Sequence, residues 1–563
     1  MATPTIDKFL TEIAGILREK NATQLRDYMV LEPPLPPLYN QIVSELKTSY
    51  PVFNQAPLEA KCKEFIPEYE ESEEGGSWTS FITFLLKYFT FLRDVNVEQL
   101  VETHDMLKSL LNQCILALSA STGLVVLPTV ISLSRTLARL AIGLDKRPDL
   151  IAHLTRREST SGTEEAGERV TLVESSANVI REAFKKCLSE RSGNASGLDR
   201  SGQPEGRRMG IYLTANLCLK LFFHCRKLRS AEQIFGNIYQ QSPPLARFPA
   251  SQRVTFLYYL GRYHFANSHF YRAQLALQAA YSQCHLKCLK QRRLILIYLL
   301  TANMILGRFP STHLLHRPES QGLQEAFEPF CRCIAKGDLA TFRRLTNLES
   351  ENAEWFLRKR ILLQISNRCE VLLWRSLARR TFMLSGFQGD TTNKKAPTLD
   401  LQDVLTLATL LERRALGLDN KPKSTKRPEH TNSIFMAKPT PAPEPEDPQG
   451  YIDPDLAGAM EPSGPDLPNI DTVESIITSL VDQDLLHGFI SHKSLKFAIT
   501  GSKATGALAA GFPNVWQVIS GKFDDEVPGW VREQTSSGLG RGAAGPGMVV
   551  NLSGARPVGA ASA

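Results

Sequence analysis

Residues 256–280 read FLYYLGRYHFANSHFYRAQLALQAA, and this stretch decides the fold. Leu260 stands beside Gly261, a polar break follows at Asn267-Ser268, and Ala273, Leu277 and Ala280 then recur at helical spacing. Small residues at such spacing let two helices approach while the large ones fill between them, so the segment predicts an antiparallel helical hairpin. Comparable helix pairs run outward from Met209 to Leu384, separated by Ser242-Pro243-Pro244, Gly307-Arg308-Phe309-Pro310 and Lys336-Gly337-Asp338. Hairpins at near-regular intervals predict an α-solenoid over residues 209–384, because each pair can bury its apolar face only on the next.

The spacing of Leu260-Gly261, Ala273, Leu277 and Ala280 resembles the tetratricopeptide pattern, with His264 where that pattern prefers Tyr. Upstream, residues 1–150 read as an N-terminal helical region. Ile6 to Val30 is expected as one helix, stopped by the proline run from Pro33 to Pro37. An acidic loop from Glu68 to Gly76 precedes the apolar stretch Trp78 to Leu92, and further helices run to Leu144. Residues 151–208 read as one helix around Val179 to Cys187 between two exposed polar loops, Arg156 to Arg169 and Arg191 to Arg208.

Downstream, residues 385–505 have the layout of a winged helix, with Val371 to Leu384 supplying the first helix. Leu401 to Leu411 reads as the second. Val473, Ile476, Ile477, Leu480 and Val481 share one face of the third, which Asp471 or Thr472 can cap. A hairpin follows, with its turn at His492-Lys493-Ser494 and with Leu495, Phe497 and Ile499 in alternation. Between the later helices, the segment 417–468 is an insertion. Positions 421–470 hold 11 of the chain's 33 prolines, which excludes helix or central strand and predicts disorder. The Gly/Ala/Ser-rich tail 521–563 is expected to be loose. The architecture expected is thus mainly α, a helical-repeat solenoid followed by a winged helix.

Of 563 residues, 42% are apolar and 22% charged, a composition that folds. Ten scattered cysteines and an N-terminus carrying Asp7, Glu12 and Glu19 point to a reducing compartment, cytosol or nucleus. The uncharged stretch Ser109 to Ser134 is interrupted by polar residues and Pro128, so no membrane partner is expected. The net charge of +7 is unevenly spread. Residues 171–420 hold 36 Lys/Arg against 19 Asp/Glu, and no acidic residue occurs from Gln233 to Pro318. Such a face suits an acidic partner or phosphates, although a basic helical surface can also serve solubility alone.

No phosphate loop, nucleophile elbow, zinc-protease motif or dinucleotide fingerprint occurs, so neither an enzyme nor a cofactor is expected. Cys284, His285 and Cys288, with Cys331 and Cys333, come nearest to a metal set. On a helix only two of the first three could converge, and they are read as buried structural cysteines. The aromatic stripe Phe256, Tyr258, Tyr259, Tyr263, Phe265, Phe270 and Tyr271 is read as packing between helices. His492, Lys493 and Lys496 stand at the hairpin tip. There they can meet a nucleic-acid backbone or be ordinary surface cations.

A helical solenoid running into a winged helix resembles the PCI domain. The runs Tyr258 to Arg262, Arg293 to Leu300, Ala335 to Leu339 and His487 to His492 resemble one branch of that family. The branch holds the messenger-RNA export subunit Thp-one (PCI domain-containing protein two in animals) and signalosome subunit twelve. The resemblance implies a non-enzymatic scaffold subunit of the second transcription-and-export complex, nuclear and pore-associated with some cytoplasmic presence allowed. It also implies a Sac-three-like scaffold partner, a small acidic protein of the Sem-one type, and weak, sequence-tolerant contact with nucleic acid, RNA or DNA. On this chain His492, Lys493 and Lys496 fall on the wing, and the proline-rich insertion departs from the family's compact pattern. The alternative is a signalosome-type assembly making protein contacts only. Independently, the acid-free segment suggests where an acidic partner would bind. Lys287, Lys290, Arg292 and Arg293 are expected outward on one helix, with Leu294, Leu296, Ile297 and Leu300 in the core; the alternative is that some of these cations pair with Glu319, Glu325 or Glu328 inside the fold.

Overall fold

The computed structural model describes residues 3–32, 34–51, 55–66, 79–96, 98–120, 122–150, 171–190, 197–389, 395–415 and 467–531. The acidic loop, the first polar loop and nearly all of the proline-rich insertion lie outside these residues.

The expected first helix is two. α1 (Pro4–Arg18) buries Ile6, Phe9, Leu10, Ile13 and Leu17, then Lys20 turns at φ +54 and Asn21 caps α2 (Ala22–Tyr28) by accepting from the Gln24 N–H. An asparagine in an apolar-periodic run is a cap as readily as a passenger, and here its carbonyl oxygen wins. α3 (Pro37–Ser49), α4 (Ala56–Phe65), α5 (Thr79–Asp94), α6 (Leu100–Leu118) and α7 (Leu127–Asp145) complete this region. The span Gly123–Asp145 is long and apolar enough to cross a membrane by composition. In the fold its Val130, Leu133, Leu137 and Ala141 are buried, against α6 and α8.

α8 (Leu172–Leu188) begins at Thr171, whose hydroxyl accepts from the Glu174 N–H. Of the second polar loop, residues 197–208 are among those described. They are pinned, because Arg207 pairs with buried Glu190 and reaches the Leu118 carbonyl (3.0 Å), while Arg208 donates to the Glu190 carbonyl (2.8 Å).

The solenoid follows as α9 (Ile211–His224), α10 (Leu228–Gln241), α11 (Ala250–Ala266), α12 (Phe270–Gln283) and α13 (Leu289–Ile305). The α11–α12 hairpin closes as its spacing predicts. A Cβ on Gly261 would lie 2.5 Å from the Leu277 Cγ, so only glycine admits this approach. α14 (Leu323–Lys336), α15 (Leu339–Thr346) and α16 (Ala353–Lys359) lead to the 24-residue α17 (Leu362–Ser385). Gly337 ends α14 at φ +67 with the Leu377 backbone 2.6 Å from its would-be Cβ, which packs the end of the solenoid against α17.

α17 is also the first helix of the winged domain. β1 (Thr398–Asp400), α18 (Leu401–Ala415), α19 (Ile470–Asp482), β2 (Gly488–Ser491) and β3 (Lys496–Ile499) complete it as an antiparallel sheet of order β1-β3-β2. β1 was not anticipated. Three residues are too short for a period-two signal, and Leu399 alone of them is buried. Asn469, rather than Asp471 or Thr472, caps α19. Arg375 of α17 donates to the Leu485 carbonyl (3.2 Å) and to that of Pro513, joining the wing to the solenoid's last helix.

The tail departs from expectation over 521–531; the rest, 532–563, lies outside the described residues. After α20 (Val515–Lys522), the segment Asp524 to Trp530 lies across the solenoid. Tyr271 donates to Asp525 (2.7 Å) and Tyr239 to Glu526 (2.7 Å). His264 Nε2–H donates to the Pro528 carbonyl (3.1 Å), and Val527 is fully buried. The Phe523 ring stacks on Tyr271 at 5.6 Å. Composition alone suggested looseness, but the short run Phe523 to Trp530 carries apolar anchors and carboxylates that the tail's average conceals.

Candidate functional site

The acid-free segment is explained by where its arginines go. Arg262 lies over the rings of Phe223 and Tyr298 (both 4.9 Å) and Tyr258 (5.6 Å), Arg292 over Tyr281 (4.2 Å), and Arg308 over Trp516 (4.4 Å). Others serve carbonyls, as Arg253 does that of Ala246 (3.1 Å) and Arg293 those of Glu319 (3.2 Å) and Gln321. Arginine's flat faces and fixed fork suit rings and carbonyls, so the segment's charge is in good part structural.

This corrects the expected acidic-partner surface. Lys287 lies in the turn before α13, not on the helix, while Lys290 stands on its first turn; both are exposed. Arg292 is 3% exposed. Its Nε donates to Glu319 Oε1 (2.9 Å) and its Nη1 to the carbonyls of Cys284 (2.7 Å) and Tyr281 (3.2 Å). The first carboxylate after the acid-free run thus reaches back 27 residues to the cation that seemed free. Leu294, expected in the core, is 41% exposed, because the helix buries the face of Arg292, Ile295, Leu296 and Leu299 instead. Of the four cations, Lys287 and Lys290 are available to a partner, Arg293 partly so, and Arg292 is not.

Cys284, His285 and Cys288 lie in that same turn rather than on a helix. Cys284 is buried and Cys288 exposed, which corrects the reading of all as buried. Among the described residues no group of three or more His, Cys, Asp or Glu could hold a metal ion. The aromatic stripe packs largely inward: Phe256 meets Tyr212 at 4.9 Å and Phe235 at 5.6 Å, and Phe265 meets Phe270 at 5.3 Å.

At the wing, the turn His492 to Ser494 projects His492, Lys493 and Lys496 into solvent. Acidic neighbours accompany them. His492 Nδ1 lies 2.7 Å from Glu474 of α19, whose hydrogen bond raises the histidine's pKa and favours imidazolium. Lys496 stands opposite Asp400 in the β1–β3 register. The outward groove of α19 is lined by Asp471, Glu474 and Asp482 with Ser475, Thr478 and His492. A helix so lined repels a phosphate backbone, and among the three wing candidates Lys493 is the one with no ion pair or paired acidic residue among the described residues.

No family model matches the chain. It is 28% identical over 408 residues to a PCI domain-containing protein of Schizosaccharomyces pombe, covering 72% of this chain and 84% of that one. A CSN12 homolog of Neurospora crassa is 31% identical over 219 residues, 38% of this chain and 45% of the relative. PCI domain-containing protein 2 of Xenopus laevis is 27% identical over 213 residues, 38% and 49% of the two chains. The match thus spans about half the length of the last two. A helical solenoid entering a three-stranded winged helix through one shared helix thus accompanies a similarity in sequence to PCI-domain proteins.

Proposed function

We propose that this chain is a non-catalytic scaffold subunit of a transcription-coupled messenger-RNA export complex. It would act at nuclear pores and bind a Sac-three-like scaffold, a small acidic protein and, weakly, nucleic acid. The observation that carries the reading is α17, which is both the last solenoid helix and the first winged-domain helix. Such a shared rod transmits the position of the solenoid to the wing, which is what a subunit needs in order to hold one partner along its length and present another at its end. Relatives named PCI domain-containing protein 2 support it.

A second reading has its own support. The carboxylates of α19 and the Glu474–His492 pair favour a winged helix that meets protein rather than nucleic acid, and relatives named CSN12 homologs fit a signalosome-type assembly. Measuring RNA affinity of the chain assembled with its scaffold, against salt, separates the two. Under the export reading, Lys493→Glu with Lys496→Glu flattens the slope of log K against log salt by about one per lost phosphate contact. An unchanged slope assigns the wing to protein contacts.

A further inference from the structure

Three arginines converge at one edge of the solenoid, and among the described residues none has a carboxylate within ion-pair distance. Arg226 follows the end of α9 at φ +64, Arg360 closes α16 at φ +57, and Arg262 rises from near the C-terminal end of α11. The arrangement is held from several sides. Arg262 is caged by Phe223, three residues before Arg226, and by Tyr298, whose hydroxyl donates to the Lys359 carbonyl (3.2 Å) next to Arg360. Nearby Lys227 and Arg358 are already paired, with Glu174 (3.8 Å) and Glu354 (2.7 Å). Burial and the charges of Arg226 and Arg262 hold the Arg360 pKa below its ordinary value, so the three repel one another. Helix C-termini behind Arg226 and Arg360 offset part of this, and both residues stand in left-handed conformations just past those ends.

We propose that Arg226, Arg262 and Arg360 form a carboxylate-binding site for an acidic, partly apolar segment of a partner protein. The cage spends the faces of Phe223, Tyr258 and Tyr298 on the Arg262 guanidinium, whose Nη1 donates to the Tyr258 hydroxyl (3.4 Å). Arg262 is thus half-buried behind the exposed Arg226 and Arg360, and its rings are engaged rather than offered to a nucleobase. Exposed leucines border the cations. Leu294 (41% exposed) is one turn from Tyr298, Leu357 (41%) one turn before Arg360, and Leu363 (66%) just beyond it. An acidic peptide with apolar side chains satisfies both sets, whereas a phosphodiester backbone satisfies only the first. The site rests on the reading of this chain as the holder of a small acidic protein, and it moves that contact away from Lys287 and Lys290.

The test uses the full chain, with a Sem-one-type acidic protein and a 20-nucleotide RNA as probes, measured by fluorescence anisotropy at low and physiological salt. Arg226→Glu with Arg360→Glu alters exposed side chains, and circular dichroism with a thermal melt checks the fold. Loss of close charge pairs is expected to weaken acidic-protein binding by about tenfold or more, with RNA binding changed less. Arg262→Lys keeps the charge but loses the fork, and should give an intermediate loss. Lys287→Glu with Lys290→Glu should stay within about twofold. Wild-type chain that binds the acidic protein, with the folded double variant binding equally well, overturns this site and leaves the partner reading standing. Wild-type chain that fails to bind it overturns both. Loss of RNA binding with acidic-protein binding intact gives the site to nucleic acid and overturns the assignment made here.

Discussion

Arg292→Ala should unfold the chain far more readily than any change at its exposed neighbours. The substitution removes the bond to Glu319 (2.9 Å), two bonds to the Cys284 and Tyr281 carbonyls, and the guanidinium over the Tyr281 ring. Glu319 is left 5% exposed, with Tyr281 as its remaining side-chain donor (2.7 Å). Removing one member of a buried pair costs about 3–5 kcal/mol, because the other charge stays behind without compensation. In a cooperative unit of 150–250 residues that lowers Tm by about 6–20 °C. Lys287→Ala and Lys290→Ala, both exposed, should each stay within about 0.5 kcal/mol of wild type. Replacing the pair together, as Arg292→Met with Glu319→Leu, should recover much of the loss, since no charge is stranded. The dependence on pH has a definite sign. Burial pushes the Glu319 carboxyl up, but hydrogen bonds from Tyr281 and Arg292 outweigh it and hold the group below the ordinary carboxylate range. The pair's contribution is therefore complete above about pH 4.3 and is lost as pH falls through the lowered value, so the gap between wild type and Arg292→Ala should narrow in acid. Differential scanning fluorimetry with circular dichroism at 222 nm reads all of this. An Arg292→Ala melt within about 2 °C of wild type, or an equal drop for Lys287→Ala, would refute the reasoning.

Gly261→Val should destabilise by about 1–3 kcal/mol or more, seen as a lower urea midpoint, because the new side chain meets Leu277 where a Cβ already lies at 2.5 Å. Burial pushes the His264 pKa down to about 4, so between pH 6.5 and 4 the unfolded chain takes up a proton that the folded one resists. Stability should fall across that window by up to about 3 kcal/mol, and His264→Gln should remove the dependence in a pH series of melts. Replacing residues 419–464 by a short Gly/Ser linker should leave Tm within about 2 °C, since lengthening a loop costs only about 0.6 kcal/mol per doubling. A collapse of Tm would mean that this stretch packs.

The solenoid was legible because its signal is local. Gly261, Ala273, Leu277 and Ala280 state the helix pair within a few turns, and Gly337 marks a boundary by the left-handed conformation it alone takes cheaply. The hairpin of the wing was equally readable from Phe497 and Ile499. What failed was long-range. Sequence could name Glu319 as a possible partner for these cations but not decide that Arg292 is the one it meets, and Leu294 reads as core although the helix buries the face of Arg292, Ile295, Leu296 and Leu299 instead. Asp525, Glu526 and Val527 reach partners more than 250 residues away for the tyrosine bond to Asp525, a distance that no periodicity reports. The Arg226, Arg262 and Arg360 cluster likewise comes from three separate helical units. The helical propensity of each was visible, but their meeting depends on how the units stack.

Whether this chain, similar to PCI-domain proteins, is a scaffold of messenger-RNA export is tested most directly by purifying the tagged protein from its own cells at physiological salt and identifying what co-purifies. The account predicts a Sac-three-like scaffold and a small acidic protein in amounts comparable to the tagged chain. Signalosome subunits in their place, or the chain recovered alone, would contradict it.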